Sequence, residues 1–266
     1  MTRETHQLQA RDVSFGYGGA DIVKHQDVDI PTGRVTAIVG PNGCGKSTLL
    51  RGLVRLLKPT SGEVLLDDES IQGLRSVDVA KVIGLLPQNP VAPDGITVAD
   101  LVGRGRYPHQ GWFRQWTAED DQAVEHALRV TNTTDLADRT IAELSGGQRQ
   151  RVWIAMTLAQ NTDLVLLDEP TTFLDIHHQV ELLDLLVDLN RGSARTIVMV
   201  LHDLNLACRY ADHLIAMKEG VIVGEGAPDE IVTAELVTKV FELECQVVPD
   251  PVSRTPMIVP LGRHHR

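Results

Sequence analysis

One stretch decides the fold of this chain: Gly40-Pro41-Asn42-Gly43-Cys44-Gly45-Lys46-Ser47-Thr48. It has the form G-x4-G-K-[ST], in which the glycines let backbone N–H groups surround phosphates. Lys46 is expected to reach the β- and γ-phosphate oxygens, and the Ser47 hydroxyl to face Mg²⁺. Residues 34–39 before the loop are typical of a buried strand, and residues 47–57 after it are typical of a helix. Strand, loop and helix in this order predict a phosphate-binding P-loop.

A second glycine-rich motif lies further along the chain, in Leu144-Ser145-Gly146-Gly147-Gln148. It opens a helix, whose first N–H groups and positive dipole end make a second anion site. One nucleotide needs only one such loop, and this motif has no lysine of its own. We therefore predict that Ser145, Gly146, Gly147 and Gln148 close on the γ-phosphate of an ATP held by another copy of the chain. A simple turn is the alternative, which the neighbouring motifs disfavour.

A short apolar strand, residues 164–167, ends in the acidic pair Asp168-Glu169. The carboxyl end of a strand is the edge at which α/β sheets place ligands, and strand alternation directs the two side chains oppositely. Asp168 is expected to hold Mg²⁺, mostly through water, and Glu169 to polarise the attacking water. The alternative is that one of the two carboxylates only caps the next segment.

Composition narrows the function classes further. The chain has 266 residues and a formal net charge of −11, which argues against a nucleic-acid-binding face because phosphate contacts need a basic patch. Three widely spaced cysteines suit a reducing compartment better than a disulfide framework. We expect no secretory signal, since residues 2–9 are polar, and no apolar run approaches the roughly 18 residues of a spanning helix. A membrane path, if one is used, must then belong to other chains.

The order of elements predicts an α/β fold with a P-loop NTPase core. Alternation in residues 8–15 and 28–30 indicates an antiparallel side sheet, and residues 88–162 have a helical pattern that predicts an inserted signature subdomain. Strand and helix then alternate again, as in a parallel sheet covered by helices. The predicted division is a single domain over about 8–243, with a core of 1–87 and 163–232, a helical subdomain of 88–162 and a C-terminal tail of 233–266.

With these motifs in place, the chain resembles the ATP-binding cassette (ABC) ATPases, and among them the subunits that drive iron–siderophore import. The resemblance covers about residues 8–262 and rests on the P-loop, the signature, the acidic strand end and His202. Three stretches are typical of the siderophore branch, although haem and cobalamin importers share much of them: Gly105-Arg106-Tyr107-Pro108-His109, Glu169-Pro170-Thr171-Thr172-Phe173-Leu174-Asp175 and residues 201–210. The resemblance implies an ATPase that uses ATP and Mg²⁺.

The resemblance also implies roles for single residues. His202, at the end of a strand, matches the switch histidine that contacts the γ-phosphate. Gln88 matches the Q-loop glutamine, which touches Mg²⁺ and water and reports to the membrane subunit. Tyr17 matches the aromatic residue on which adenine stacks, but Phe15 is a competitor, because strand alternation would place both on the same face. Leu174-Asp175 resembles the D-loop, although Phe173 replaces the small residue common elsewhere in the superfamily.

The partners implied are a second copy of the chain, two membrane permease subunits and, indirectly, an extracytoplasmic siderophore-binding protein. The chain would then lie at the cytoplasmic face of the membrane as a peripheral subunit. A permease helix would dock in a groove formed from residues 89–96 and 104–116. Aromatic and arginine side chains are interleaved there, as in interface cores: Arg104, Arg106, Trp112, Phe113, Arg114 and Trp116. The alternative is that the tryptophans pack the subdomain itself.

Two other classes of protein compete with this interpretation. A soluble ABC ATPase of DNA repair or translation would need a long coiled coil or a second cassette, and usually a basic surface. A P-loop kinase or GTPase would have no use for the signature at 144–148. The sequence shows no long coiled coil, second cassette or basic surface, and it does contain the signature, so both alternatives are disfavoured.

Overall fold

The computed structural model describes residues 5–110, 116–172 and 174–262. These residues belong to two compact units. The central unit is Leu74–Arg195, and the flanking unit consists of Thr5–Gly73 together with Thr196–Arg266. Among the described residues, every helix is too short or too polar to cross a membrane.

The flanking unit begins with an antiparallel sheet of strand order β2-β1-β4-β5. Its first segment contains β1 (Leu8–Phe15), β2 (Val23–Ile30), β3 (Val35–Val39), α1 (Lys46–Leu53), β4 (Ser61–Leu66) and β5 (Glu69–Ser70). Apolar side chains of β1 are fully buried, and β2 and β4 pair with its two edges. This is the side sheet that the alternation of residues 8–15 predicts.

Helix α1 ends earlier than the sequence pattern predicts. The apolar residues continue to Leu57, but the helix stops at Leu53. Arg55 has a φ of 64°, a left-handed conformation that ends a helix, and the N–H groups of Leu56 and Leu57 both donate to the carbonyl of Arg51. The last leucines therefore follow the helix as a turn.

The central unit combines a parallel strand pair with a group of helices. Its elements are α2 (Ser76–Val82), β6 (Ile83–Leu86), α3 (Val98–Gly103), a 3₁₀ helix (Arg104–His109), α4 (Ala118–Val130), two further 3₁₀ turns (Thr134–Leu136 and Ile141–Glu143), α5 (Gly146–Ala159), β7 (Leu164–Leu167) and α6 (Ile176–Ser193). The helices begin where the capping signals predict: the Thr117 side chain accepts from Asp120 N–H and the Asp120 carboxylate accepts from Thr117 N–H. Among the described residues, the elements between Gln88 and Thr162 are the helices α3 to α5 and the 3₁₀ helices between them.

A buried ion pair holds the helices of this unit together. Arg106 Nε lies 2.8 Å from Asp120 Oδ1, both side chains are 2% exposed, and Arg106 Nη1 donates to the carbonyl of Ala159 at 3.0 Å. Burial raises the pKa of Asp120, but the hydrogen bonds from Arg106 and Thr117 outweigh it and leave the pKa lowered. The expectation that Arg106 belongs to a docking surface is therefore wrong, because its guanidinium is buried and paired with Asp120 inside the unit.

The second segment of the flanking unit completes a sheet around β3. It contains β8 (Thr196–Val200), α7 (Leu204–Tyr210), β9 (His213–Lys218), β10 (Val221–Gly226), α8 (Pro228–Ile231), α9 (Ala234–Phe241), β11 (Cys245–Pro249) and β12 (Pro256–Pro260). Strands β8 and β9 pair in parallel with the two edges of β3, and β10 is antiparallel to β9. Every residue of β3 and β8 is buried, as expected for a parallel sheet covered on both faces.

The C-terminal residues fold as well, although the sequence suggested only a tail from residue 233 onward. Helix α9 is followed by the antiparallel hairpin β11–β12, in which Cys245 pairs with Pro260 and Pro249 with Pro256. Prolines at the ends of both strands resemble loop signals in the sequence, which is why the hairpin is hard to recognise there.

Candidate phosphate-binding and hydrolysis site

The P-loop connects β3 to α1 and encloses a buried ammonium group. Lys46 is 5% exposed, and its Nζ donates to the carbonyls of Gly40 and Pro41, each at 2.9 Å. An ammonium has three donors, so capacity remains for a phosphate oxygen. Gly40 has a φ of 150°, and a Cβ there would lie 2.2 Å from the carbonyl oxygen of Met217, so only glycine fits.

The start of α1 suits an anion. The N-cap residue is Gly45, which has no side chain to occupy the first N–H groups of the helix. These donors and the positive helix end favour a phosphate beside the Lys46 ammonium. The residues present therefore fit a polyphosphate group.

The cysteine of the loop is shielded. Cys44 is 4% exposed, its carbonyl accepts from Gly220 N–H at 2.9 Å, and burial raises the pKa of its thiol. At neutral pH the group is a small apolar side chain rather than a reactive thiolate.

His202 lies at the level of the P-loop. In the parallel pairing of β3 with β8, Ile38 lies opposite Val200, and Leu201 N–H donates to the carbonyl of Ile38 at 3.1 Å. His202 is two residues after Val200, and Gly40 is two residues after Ile38. The two residues therefore lie at the same level, just beyond the ends of β8 and β3. The histidine is exposed.

Only one of the two competing aromatic residues is available for stacking. Phe15 is fully buried at the end of β1, and a Cβ on Gly52 of α1 would lie 2.2 Å from its Cζ. Tyr17 follows in the turn and is 57% exposed, with its hydroxyl 3.4 Å from Arg51 Nη1. The chain leaves the strand after Phe15, so alternation no longer applies at Tyr17.

The acidic pair lies at one edge of the central unit. Strands β6 and β7 are parallel with Leu86 opposite Leu167, and Asp168 N–H donates to the carbonyl of Leu86 at 2.9 Å. This register places Gln88, two residues after β6, at the level of Glu169. The side chains of Asp168 and Glu169 are nearly buried, at 2% and 9% exposure.

Glu169 departs from strand geometry. It has a φ of 55°, and the Thr172 hydroxyl donates to its Oε2 at 3.2 Å. A non-glycine residue in this left-handed region is uncommon and is often found at functional sites. Strand β7 ends at Leu167, so strand alternation does not apply to Asp168 and Glu169. The left-handed turn sets the direction of the Glu169 side chain instead.

The signature motif forms the capped start of α5. Ser145 Oγ accepts from Gln148 N–H at 3.3 Å, and Gln148 Oε1 accepts from Ser145 N–H at 3.1 Å. Within the described residues, a Cβ on Gly146 would meet no atom within 4 Å, whereas one on Gly147 would lie 3.6 Å from Leu174 Cδ2. The motif thus has one open glycine and one glycine packed on the D-loop.

Two residues that the sequence analysis did not single out fasten these segments together. Gln150 Nε2 donates to the carbonyl of Pro170 at 2.9 Å, and Gln179 Nε2 donates to the carbonyl of Leu174 at 2.9 Å. Asp175 caps α6 by accepting from His178 N–H at 3.0 Å, a bond that lowers its pKa. Phe173 lies outside the described residues. Gln150 lies two residues after the signature, and this proximity is the signal that could have identified it.

The comparison with known proteins decides the family. A family model described as ABC transporter matches residues 23–172. This chain belongs to the ABC transporter family.

Two relatives match nearly the whole cassette. The ferric enterobactin transport ATP-binding protein FepC of Escherichia coli is 56% identical over 263 residues, covering 99% of this chain and 97% of the relative. The petrobactin import ATP-binding protein FpuD of Bacillus anthracis is 52% identical, covering 97% and 95%. The resemblance stated from the motifs is therefore confirmed.

Solved structures agree on the fold of the cassette. An inward-facing ABC transporter described as metal-chelate type has a TM-score of 0.83 and 32% identity, covering 98% of this chain and 99% of its own. A dimeric ATP-binding cassette, MJ0796, in a post-hydrolysis state with ADP and Pi has a TM-score of 0.73 and 29% identity, covering 83% and 98%. The expected P-loop α/β fold is confirmed, and the chain is an ABC-type ATPase that binds ATP.

Each unit brings part of the expected site together. In the flanking unit the P-loop and His202 follow the carboxyl ends of the neighbouring strands β3 and β8, and Tyr17 lies beside Arg51 of α1. In the central unit Gln88 and the acidic pair share the edge of β6 and β7, and the signature packs on the D-loop.

The part of the expected docking surface that is described lies on the central unit. A groove of about 620 Å³ is bordered by Tyr107 and Trp116, which are 58% and 45% exposed. Val91 of the Q-loop segment is 88% exposed. Arg104 also lines the groove, whereas Trp112, Phe113 and Arg114 lie outside the described residues.

Proposed function

We propose that this cassette is the ATP-hydrolysing subunit of an importer of iron(III)–siderophore complexes. The observation that carries the proposal is the 56% identity, over 99% of the chain, to a ferric enterobactin transport ATP-binding protein. A petrobactin import protein at 52% identity supports the same class of cargo. The iron complex is the substrate of the whole importer, and the cassette supplies the energy.

The proposed division of labour follows the geometry of each unit. Lys46 and the backbone N–H groups of the P-loop, Gly40 to Thr48 apart from Pro41, bind the phosphates, and Tyr17 stacks on adenine. His202 contacts the γ-phosphate. Glu169 accepts a hydrogen bond from the attacking water and orients it. The left-handed turn at Glu169, which holds a nearly buried carboxylate, supports this role.

Ser47, Gln88 and Asp168 are the proposed Mg²⁺ ligands. Hydroxyl, amide and carboxylate oxygens are the donors that this hard cation prefers. The Asp168 carboxylate is buried, where an unpaired charge is costly, so a bound cation would stabilise it. When bound, Mg²⁺ would neutralise the charge of the β- and γ-phosphates.

The signature is proposed to act on a second copy of the chain. Ser145, Gly146, Gly147 and Gln148 present the start of α5 with open space at Gly146, and Leu174 and Asp175 lie beside it. The dimeric state of the MJ0796 cassette supports this arrangement. Each ATP would then be enclosed by the P-loop of one copy and the signature of the other.

Two permease subunits are the proposed membrane partners. The groove beside Tyr107 and Trp116 and the exposed Val91 offer apolar surface to a short permease helix. The cassette would then lie at the cytoplasmic face of the membrane, and an extracytoplasmic binding protein would deliver the iron complex to the permease.

Iron uptake by a deletion strain tests the cargo. We expect the strain to lose uptake of at least one ⁵⁵Fe–siderophore from a panel, and the wild-type gene to restore it. Lys46→Ala should not restore uptake, whereas Lys58→Ala, an exposed lysine shortly after α1, should. Normal uptake of every iron chelate, with loss of haem or cobalamin uptake, would refute the siderophore assignment but keep the importer class.

A further inference from the structure

The C-terminal hairpin β11–β12 is tied to α7, the helix that follows His202. Asn205 Nδ2 donates to the carbonyl of Ile258 at 3.2 Å, and Asn205 Oδ1 accepts from Ile258 N–H at 2.7 Å. One amide side chain therefore satisfies both backbone groups of a residue of β12, as a neighbouring strand would. This fixes the position of the hairpin along α7.

An ion pair makes the second tie, one helical turn further on. Arg209 Nη2 donates to Asp250 Oδ2 at 2.5 Å, and Asp250 Oδ1 accepts from the N–H groups of Val252 and Ser253. The hydrogen bond from Arg209 is the main reason why the pKa of Asp250 falls to about 2. Asn205 and Arg209 are four residues apart and so lie on one face of α7.

Helix α7 is short, and its orientation is set by what touches it. Ala207 and Cys208 are fully buried on its inner side. Asp203, the residue after His202, caps the helix by accepting from the N–H groups of Asn205 and Leu206 at 2.8 and 3.0 Å. Asn205 thus joins the cap through its backbone and the hairpin through its side chain.

We propose that the β11–β12 hairpin positions His202 for ATP hydrolysis, with Asn205 and Arg209 as positioning residues that act through the Asp203 cap. The proposal rests on the role proposed for His202 above. His202 lies two residues after β8 and directly before the Asp203 cap, so we expect the cap to set the direction of its backbone. That cap is held by α7, and the outer side of α7 is held by the hairpin. A two-stranded hairpin is only marginally stable alone, so these ties also keep the hairpin in place.

The experiment compares steady-state ATP hydrolysis by full-length variants. We expect Asn205→Ala and Arg209→Ala to lower kcat about 5–20-fold with KM for ATP within about twofold, because small displacements of a positioned group can cost up to about 10²-fold. Arg209→Lys, which can keep a charge pair with Asp250, should recover part of kcat. Lys218→Ala is the matched control, since it breaks an ion pair of 2.8 Å with Glu242 elsewhere in the same unit and should leave kcat unchanged.

A double-mutant cycle with His202→Ala separates positioning from stability. If Asn205 acts through His202, adding Asn205→Ala to His202→Ala should change kcat less than about twofold. Additive losses in the double variant would overturn the inference. So would a lower unfolding temperature of Asn205→Ala and Arg209→Ala with an unchanged kcat of the folded chain.

The two proposals can fail separately in this design. If His202→Ala hydrolyses ATP normally, the role of His202 and the inference both fail. If His202→Ala loses activity while Asn205→Ala and Arg209→Ala keep it, only the inference fails.

Discussion

Replacing Arg106 by methionine tests how the helices of the central unit are held together. Methionine keeps much of the volume and the apolar stem but removes the guanidinium. Asp120, which is 2% exposed, would then keep only the hydrogen bonds at Thr117, and the carbonyl of Ala159 would lose its donor.

The expected loss of folding free energy is large because the charge of Asp120 would stay buried. Removing one partner of a buried ion pair costs about 3–5 kcal/mol, because the other charge is left uncompensated. In a protein of this size that loss lowers Tm by roughly 6–20 °C. The exposed pair Arg75–Asp78, with side chains 80% and 42% exposed, is the matched control, and Arg75→Ala should change stability by less than about 1 kcal/mol.

Thermal and urea unfolding of the full chain, followed by circular dichroism, measure both variants. The double variant Arg106→Met with Asp120→Leu removes both charges and should regain much of the loss, since an apolar pair of similar volume often replaces a buried ion pair. An Arg106→Met variant as stable as Arg75→Ala would refute this explanation. So would a double variant no more stable than Arg106→Met.

Three further outcomes are expected. Glu169→Gln should bind ATP, lose about 10²–10⁴-fold in hydrolysis and accumulate an ATP-dependent dimer, whereas the exposed Glu63→Gln should behave as wild type; normal turnover by Glu169→Gln would contradict the proposed role. Mixing Lys46→Ala chains with Ser145→Arg chains should restore partial hydrolysis, because one site of the mixed dimer is intact; no recovery at any ratio, with both chains folded, counts against the shared site. The pKa of Asp250 is lowered, so its ion pair stabilises the fold above the ordinary value of 3.8 and loses this contribution as the pH falls toward about 2. The difference in urea midpoint between wild type and Asp250→Asn should therefore shrink over that pH range, and a constant difference would be evidence against the pair.

Contiguous motifs were the easiest features to predict from the sequence. The P-loop, the signature and the acidic strand end each lie within a few residues, and the elements around them have clear apolar periodicity. The capping residues Thr117 and Ser145 mark helix starts for the same reason, because a cap acts over three or four residues. The end of α1 was missed, since Leu56 and Leu57 continue the apolar pattern beyond the left-handed Arg55.

Arg106 and the C-terminal hairpin were not predicted because their partners are remote in sequence. Arg106 stands in a stretch with aromatic residues, which suggested an interface, but it pairs with Asp120 only because the 3₁₀ helix packs beside α4. The strands of the hairpin have prolines at their ends and attach to α7 through Asn205 and Arg209, which lie some fifty and forty residues earlier. No local pattern contains such a pairing.

The sequence by itself determined the chemistry of this protein: a P-loop, a signature, an acidic strand end and the family to which they belong. These depend on residue types at short spacing, where the backbone geometry is nearly fixed. Only the tertiary structure decided which side chains are exposed at the site and which are buried in the core. Phe15 and Tyr17 share a predicted strand face, yet one is in the core and the other is exposed, because burial depends on where distant segments pack against the chain.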